Sequence, residues 1–183
     1  MSRLIMWNLM TLDGFVAGPN GDISWHEDVW GPELESLSND FCKAAGALMF
    51  GRVTYDLMAG HWPKATGTVA DYMNALPKFV FSRTLKNPTW SNTQVFDGDV
   101  SDTVARLKRE TAKDVFLFGS AGLAASLIPH NLIDEFRIGV TPHVLGGGTA
   151  LFKPGARAKL RLLDAKSLSS GAVILRYEAA NRE

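Results

Sequence analysis

Two runs in this chain are apolar at every position, Ala47-Leu48-Met49-Phe50 and Val115-Phe116-Leu117-Phe118; a third, residues 4–10, is broken only by Asn8. A strand with one face in water alternates apolar and polar residues, so a run without alternation has to be covered on both faces. Glycine or turn residues follow each run closely, which marks strands rather than segments of buried helix. The chain is thereby confined to a mostly parallel sheet with helices packed on both sides.

The intervening segments supply those helices. Pro32, Glu33 and Glu35 open one, as proline and acids do in a first turn, and Leu34, Leu37 and Phe41 form its apolar stripe. Gly46 is expected to close it. Gly51-Arg52 starts a short helix through Met58, another is expected over residues 69–76, and strands over 78–82 and 93–97. Residues 101–112 are amphipathic, with Asp102 in the first turn and Lys108 and Arg109 near the end. A helix over 120–128 is stopped by Pro129. From Glu135 the pattern turns β-rich: a strand over 136–140, a loop at Gly146-Gly147-Gly148, and a hairpin over 159–179 turning at Ser169-Ser170-Gly171. The expected architecture is an α/β three-layer sandwich with an antiparallel C-terminal edge, forming one domain over residues 1–183.

Charge and cysteine content narrow the partners. Lys plus Arg and Asp plus Glu number 19 each, so no overall basic balance recruits nucleic acid or a membrane surface. Cys42 is the only cysteine; it reads as a small buried filler beside Phe41, and no disulfide can form within the chain. His26, His61, His130 and His143 are scattered without paired spacing, so no metal site is expected. The first apolar run is too short for a signal peptide, and no run reaches the ~18 residues of a membrane span, which makes the cytoplasm the expected location.

The chemistry lies where strands hand over to helices or loops. Free backbone N–H groups and a positive dipole end collect at such junctions and suit phosphate. Gly51-Arg52-Val53-Thr54-Tyr55 offers close backbone approach, a forked guanidinium and a hydroxyl. Ser82-Arg83-Thr84 follows a strand in the same way and suits an adenosine 2′-phosphate. Phe118-Gly119-Ser120-Ala121-Gly122 sits between strand and helix but lacks the third glycine of the Rossmann fingerprint. Three such junctions, two with an arginine, point to a ligand bearing several phosphates, such as a dinucleotide.

These segments, with Leu12-Asp13-Gly14-Phe15-Val16-Ala17 before them, resemble in order and spacing the dihydrofolate-reductase fold. The resemblance is closest to the C-terminal reductase domain of the bifunctional riboflavin-biosynthesis deaminase–reductase and its stand-alone bacterial relatives. Leu132-Ile133-Asp134-Glu135-Phe136 and Pro142-His143-Val144-Leu145-Gly146-Gly147-Gly148 extend the match nearly end to end. The resemblance implies NADPH across the strand ends. Val16 and Ala17 would line the nicotinamide pocket, with Trp25 at the substrate pocket's mouth. Gly51, Arg52, Val53 and Thr54 would hold the pyrophosphate from one side, and Phe118, Gly119, Ser120, Ala121, Gly122 and Leu123 from the other. Ser82, Arg83 and Thr84 would take the adenosine end. Where folate reductases carry Gly-Gly this chain has Gly119-Ser120; the serine N–H can still donate to the ligand, and binding is expected to survive with altered geometry. Folate reductases also place an acid on the first helix, for which Glu35 is the candidate; Asp13 is the other catalytic candidate.

The implied activity is an NADPH-dependent reductase of a small heterocyclic substrate of pterin, pyrimidine or phosphoribosyl type. A true dihydrofolate reductase and a non-catalytic NADP-binding protein are the alternatives. The family also implies a homodimer through the C-terminal β region.

Overall fold

A computed structural model describes residues 1–180. The chain begins with β1 (Leu4–Thr11), β2 (Phe15–Ala17), α1 (Pro32–Ala44), β3 (Ala45–Gly51), α2 (Arg52–His61) and α3 (Thr68–Ala75). It continues with β4 (Lys78–Phe81), β5 (Thr93–Phe96), α4 (Val100–Glu110), β6 (Asp114–Phe118) and α5 (Ala121–Leu127). The last strands are β7 (Glu135–Thr141), β8 (Thr149–Ala150), β9 (Leu160–Ser167) and β10 (Val173–Ala179).

Eight strands form one sheet in the order β5-β4-β3-β6-β1-β7-β10-β9. The first six in that order pair in parallel, and β10 and β9 add an antiparallel edge. Alternate residues of one strand feed opposite cores. Leu4, Met6, Met49 and Leu117 meet Val104 and Leu107 of α4 and Leu123, Ala124 and Leu127 of α5. Ile5, Leu48, Phe50 and Phe116 face the other way, against Leu34 and Phe41 of α1, Tyr55 of α2 and Met73 of α3. Each such large side chain contributes roughly 1.5–3 kcal/mol by leaving water, so strands apolar on both sides are stable only between two helical layers. The three-layer α/β sandwich is thus what the apolar runs required.

Several local expectations differ. α1 passes straight into β3 at Ala45, and Gly46 lies inside the strand. A Cβ at Gly46 would stand 2.9 Å from Cβ of Lys113, so the glycine serves close strand packing rather than a helix stop. The turn-rich segment after β1 contains β2, which pairs with β8 beyond the glycine loop. Gly148 has φ +132, and a Cβ there would come within 2.1 Å of the Ala17 carbonyl oxygen. That close approach lets the glycine loop lie against β2.

At the amino ends of the parallel strands the Glu135 carboxylate is buried, 2% exposed, among three arginines. Nε of Arg137 donates to it at 2.6 Å, Nε of Arg176 at 2.9 Å and Nη1 of Arg3 at 3.0 Å. Burial alone would raise its pKa; the hydrogen bonds and charges of Arg137 and Arg176 outweigh this and hold it below the ordinary range. The Arg137 guanidinium also covers the rings of Phe41 and Phe116, 5.1 and 5.5 Å from their centroids. Among the described residues no helix is long and apolar enough to cross a membrane.

Candidate functional site

The carboxyl ends of β1, β3, β4, β5 and β6 open into one cavity of about 840 Å³, where ligands of open α/β sheets ordinarily sit. Its two sides differ in kind.

One side is made of turns. Gly119 and Ser120 both have left-handed backbone, φ +54 and φ +60. A Cβ at Gly119 would stand 3.0 Å from Oγ1 and Cγ2 of Thr54, so glycine allows the β6–α5 and β3–α2 junctions to close on each other. Ser120 locks them. Its Oγ accepts from the Gly51 N–H at 2.8 Å, and its N–H donates to Oγ1 of Thr54 at 3.0 Å. A left-handed serine costs roughly 1–2 kcal/mol, which two such bonds offset. Neither α2 nor α5 has a side-chain cap, whereas Asp99 caps α4 by accepting from the Asp102 N–H at 2.9 Å. The first amides of α2 and α5 therefore lack intrahelical acceptors at the cavity wall. Ser120 N–H, expected to serve a ligand, is instead bonded to Thr54; the amides after it are the ones left to an anion.

Ser82 and Arg83 line the same side from the end of β4. The Ser82 hydroxyl accepts from the N–H groups of Thr84 and Leu85 at 3.2 and 3.0 Å, which shapes the turn and leaves Arg83 exposed. Nε of Arg52 donates to the Asp56 carboxylate one turn along α2, at 2.7 Å. Val16 and Ala17 contribute the β2 edge.

The other side is made of side chains. Phe41 of α1, Leu57 and Met58 of α2, Met73 of α3, and Trp30 and Trp62 from the connections form an apolar wall over Trp7. Nε1 of Trp62 donates to the Met58 sulfur at 3.0 Å, so even its polar atom is turned inward. His26 also lines this side; burial, then the charge of His143, push its pKa down to about 4, leaving a neutral ring at pH 7. Burial likewise pushes the Cys42 thiol up, away from thiolate chemistry. Among the described residues Asp97, after β5, is the one carboxylate that lines the cavity.

Residues 3–175 match the model of the RibD C-terminal domain. The chain belongs to that family. It is 31% identical over 181 residues to the uncharacterized protein YyaP of Bacillus subtilis, covering 96% of this chain and 94% of the relative. The uncharacterized protein YwjB of the same organism is 28% identical, with 97% and 98% covered. Among solved structures, a putative riboflavin biosynthesis protein from Shewanella sp. PV-4 superposes with a TM-score of 0.80 at 19% identity, over 99% of this chain and 100% of that one. The Thermotoga maritima diaminohydroxyphosphoribosylaminopyrimidine deaminase/5-amino-6-(5-phosphoribosylamino)uracil reductase gives 0.70 at 14% identity, over 98% of this chain and 57% of that one. At these identities the structures share the fold of this RibD C-terminal domain.

In this RibD C-terminal domain the cavity gathers Val16, Ala17, Gly51, Arg52, Val53, Thr54, Ser82, Arg83 and the whole Phe118-Gly119-Ser120-Ala121-Gly122-Leu123 segment. Thr84, Asp13, Glu35 and Trp25 do not line it. The Asp13 carboxylate accepts from the Thr11 hydroxyl at 2.6 Å and the Gly146 N–H at 2.7 Å. Those bonds, with the Leu145 N–H, hold its pKa below the ordinary range and tie the glycine loop to the β1 turn. Glu35 points to solvent from α1, and its neighbour Glu33 accepts from the Ser169 N–H at 2.7 Å. Trp25 is 6% exposed and lies behind the wall, its ring 5.7 Å from His143. Sequence reasoning passed over Phe41, Leu57, Met58 and Met73 because apolar residues at helical spacing read as core, over Trp7 because it stands in a buried strand, and over Trp30 and Trp62. The available signal was Trp30 and Trp62, each set beside Gly31 or Pro63 in a short connection.

Proposed function

We propose that this RibD C-terminal domain is an NADPH-dependent reductase of a small heterocyclic compound. The observation that carries the reading is the Ser120 lock, which sets two uncapped helix starts beside one cavity that Arg83 also lines. The donor set fits a dinucleotide phosphate. Backbone amides of α2 and α5 would receive the pyrophosphate, the Gly119 approach keeps side-chain bulk out of that contact, and Arg83 would meet the adenosine phosphate. Bound there, NADPH supplies the hydride for reduction of the acceptor. The chain's own part is alignment and exclusion of water: Val16 and Ala17 border the ring end, and the apolar wall covers the acceptor.

Titration with NADPH and NADH, read by energy transfer from Trp7 and Trp62 to the reduced nicotinamide, tests this. NADPH is expected to bind more tightly than NADH. Arg83→Ala is expected to weaken NADPH by about tenfold to hundredfold, as for a lost charge-assisted hydrogen bond, and to leave NADH unchanged. No saturable signal from either nucleotide would overturn the reading.

We also propose a homodimer through β9. That strand is the sheet's edge and exposes Leu162 at 52% and Leu163 at 39%, a combination that invites a partner. Leu162→Asp is expected to halve the mass seen by sedimentation equilibrium; a monomeric native chain would rule the dimer out.

A further inference from the structure

We propose that the acceptor half of the cavity takes an uncharged, planar, largely apolar ring system, and neither a pterin nor a phosphorylated pyrimidine. The inference rests on the reductase reading of the same cavity and narrows its substrate class.

The wall itself is the first ground. Trp30, Phe41, Leu57, Met58, Trp62 and Met73 present rings, thioethers and a branched alkyl group, surfaces that grip a flat ring by burial and edge or face contact. The rim is the second. Trp30, Val53 and Leu57 are 50%, 84% and 48% exposed, an unusual grouping of large apolar side chains in water around one opening. Covering them with an apolar ring takes that surface out of water, which favours binding.

Charge distribution is the third. No Lys, Arg, Asp or Glu from residues 23–42 or 57–73 lines the cavity. The amidine-like edge of a pterin pairs with a carboxylate through two parallel hydrogen bonds. The acids of α1 are not available for that: Glu33 accepts from Ser169, and Glu35 and Asp40 lie in solvent off the cavity. A phosphate would need a cation on this side. Arg52 already pairs with Asp56, Arg83 belongs to the end of β4, and Lys153 to the segment after β8. The polar groups that remain are uncharged and offer no ionic anchor: Ser38 donates its hydroxyl to the Leu34 carbonyl at 2.9 Å, the His26 ring is neutral with its Nε2 unpartnered, and the Asn8 amide lines the cavity with Nδ2 unpartnered, a single donor for a ring heteroatom. A charged ligand pressed against this wall would lose hydration without compensation.

Calorimetric titration of the full chain with coumarin, 7,8-dihydrofolate and uridine 5′-monophosphate tests the proposal. Coumarin stands for the uncharged planar class. It is expected to bind at least about tenfold more tightly than either other probe. Trp30→Ala and Leu57→Asp, both at exposed positions, are expected to weaken coumarin at least about fivefold. Tighter binding of either other probe, or coumarin affinity unchanged in both variants, would overturn it. NADPH titration of the same samples separates the two readings. Coumarin binding without NADPH binding supports the apolar acceptor wall and sinks the reductase assignment alone.

Discussion

The two sides of the cavity solve different problems with different materials. The side proposed to take phosphate is backbone: two strand-to-helix turns, a glycine that lets them touch, and a serine that bonds both. The side proposed for the acceptor is side chains drawn from α1, α2, α3 and two connections, mostly apolar and with no charged group among them. Backbone amides recognise one chemistry, an anion, whatever residues surround them. A side-chain wall changes its preference with any residue in it. Within one fold, then, the first side is suited to a shared cofactor and the second to a varied substrate.

Three substitutions probe that division, in decreasing order of expected effect. Glu135→Gln removes the carboxylate among Arg3, Arg137 and Arg176 and is expected to cost about 3–5 kcal/mol in urea unfolding. Because Arg137 covers Phe41, the residual folded protein should lose coumarin affinity more than NADPH affinity. Equal losses would show that the two sides are not separable. The native chain carries a pH signature of the same group. A carboxylate whose folded pKa is lowered stabilises above its unfolded value and loses that contribution as pH falls through the folded pKa, so stability should decline as pH falls below about 4. Glu135→Gln should flatten that limb.

Gly119→Val forces a branched side chain into left-handed backbone and against Thr54. A cost of about 1–3 kcal/mol in stability is expected, with NADPH affinity down at least about tenfold and coumarin affinity retained. Loss of both would argue that Ser120 organises the whole cavity rather than its phosphate side.

The mildest at neutral pH is His26→Gln. The folded pKa of about 4 lies below the usual imidazole value, so the unfolded chain binds the extra proton first as pH falls. Stability should therefore decline from about pH 6.5 toward pH 4, by at most about 1.4 kcal/mol per pH unit. The glutamine variant should lack that slope. An unchanged slope would show that it does not come from the His26 ring.

How much of this was legible beforehand follows the same line. Gly51, Thr54, Arg83 and Gly119 announce themselves because a strand end, a glycine and an anion-binding residue are neighbours in the chain. The Ser120–Thr54 bond joins residues 66 apart, and no local pattern predicts it. Asp13 is conspicuous beside Gly14, yet its bonds to Leu145 and Gly146 come from the far end of the chain. Phe41 and Met73 have the same periodicity whether they fill a core or line a cavity. What separates the two outcomes is whether the packed helices leave a gap.

By itself the sequence determined the layers, since unbroken apolar strands have no other stable surroundings, and it marked the turns proposed to take an anion. The tertiary structure alone decided which apolar residues stay uncovered, which acids are already bonded, and that the apolar wall includes no charged side chain. Hydrophobic pattern and turn chemistry act over a few residues, while a cavity is a deficit of packing among elements far apart in the chain.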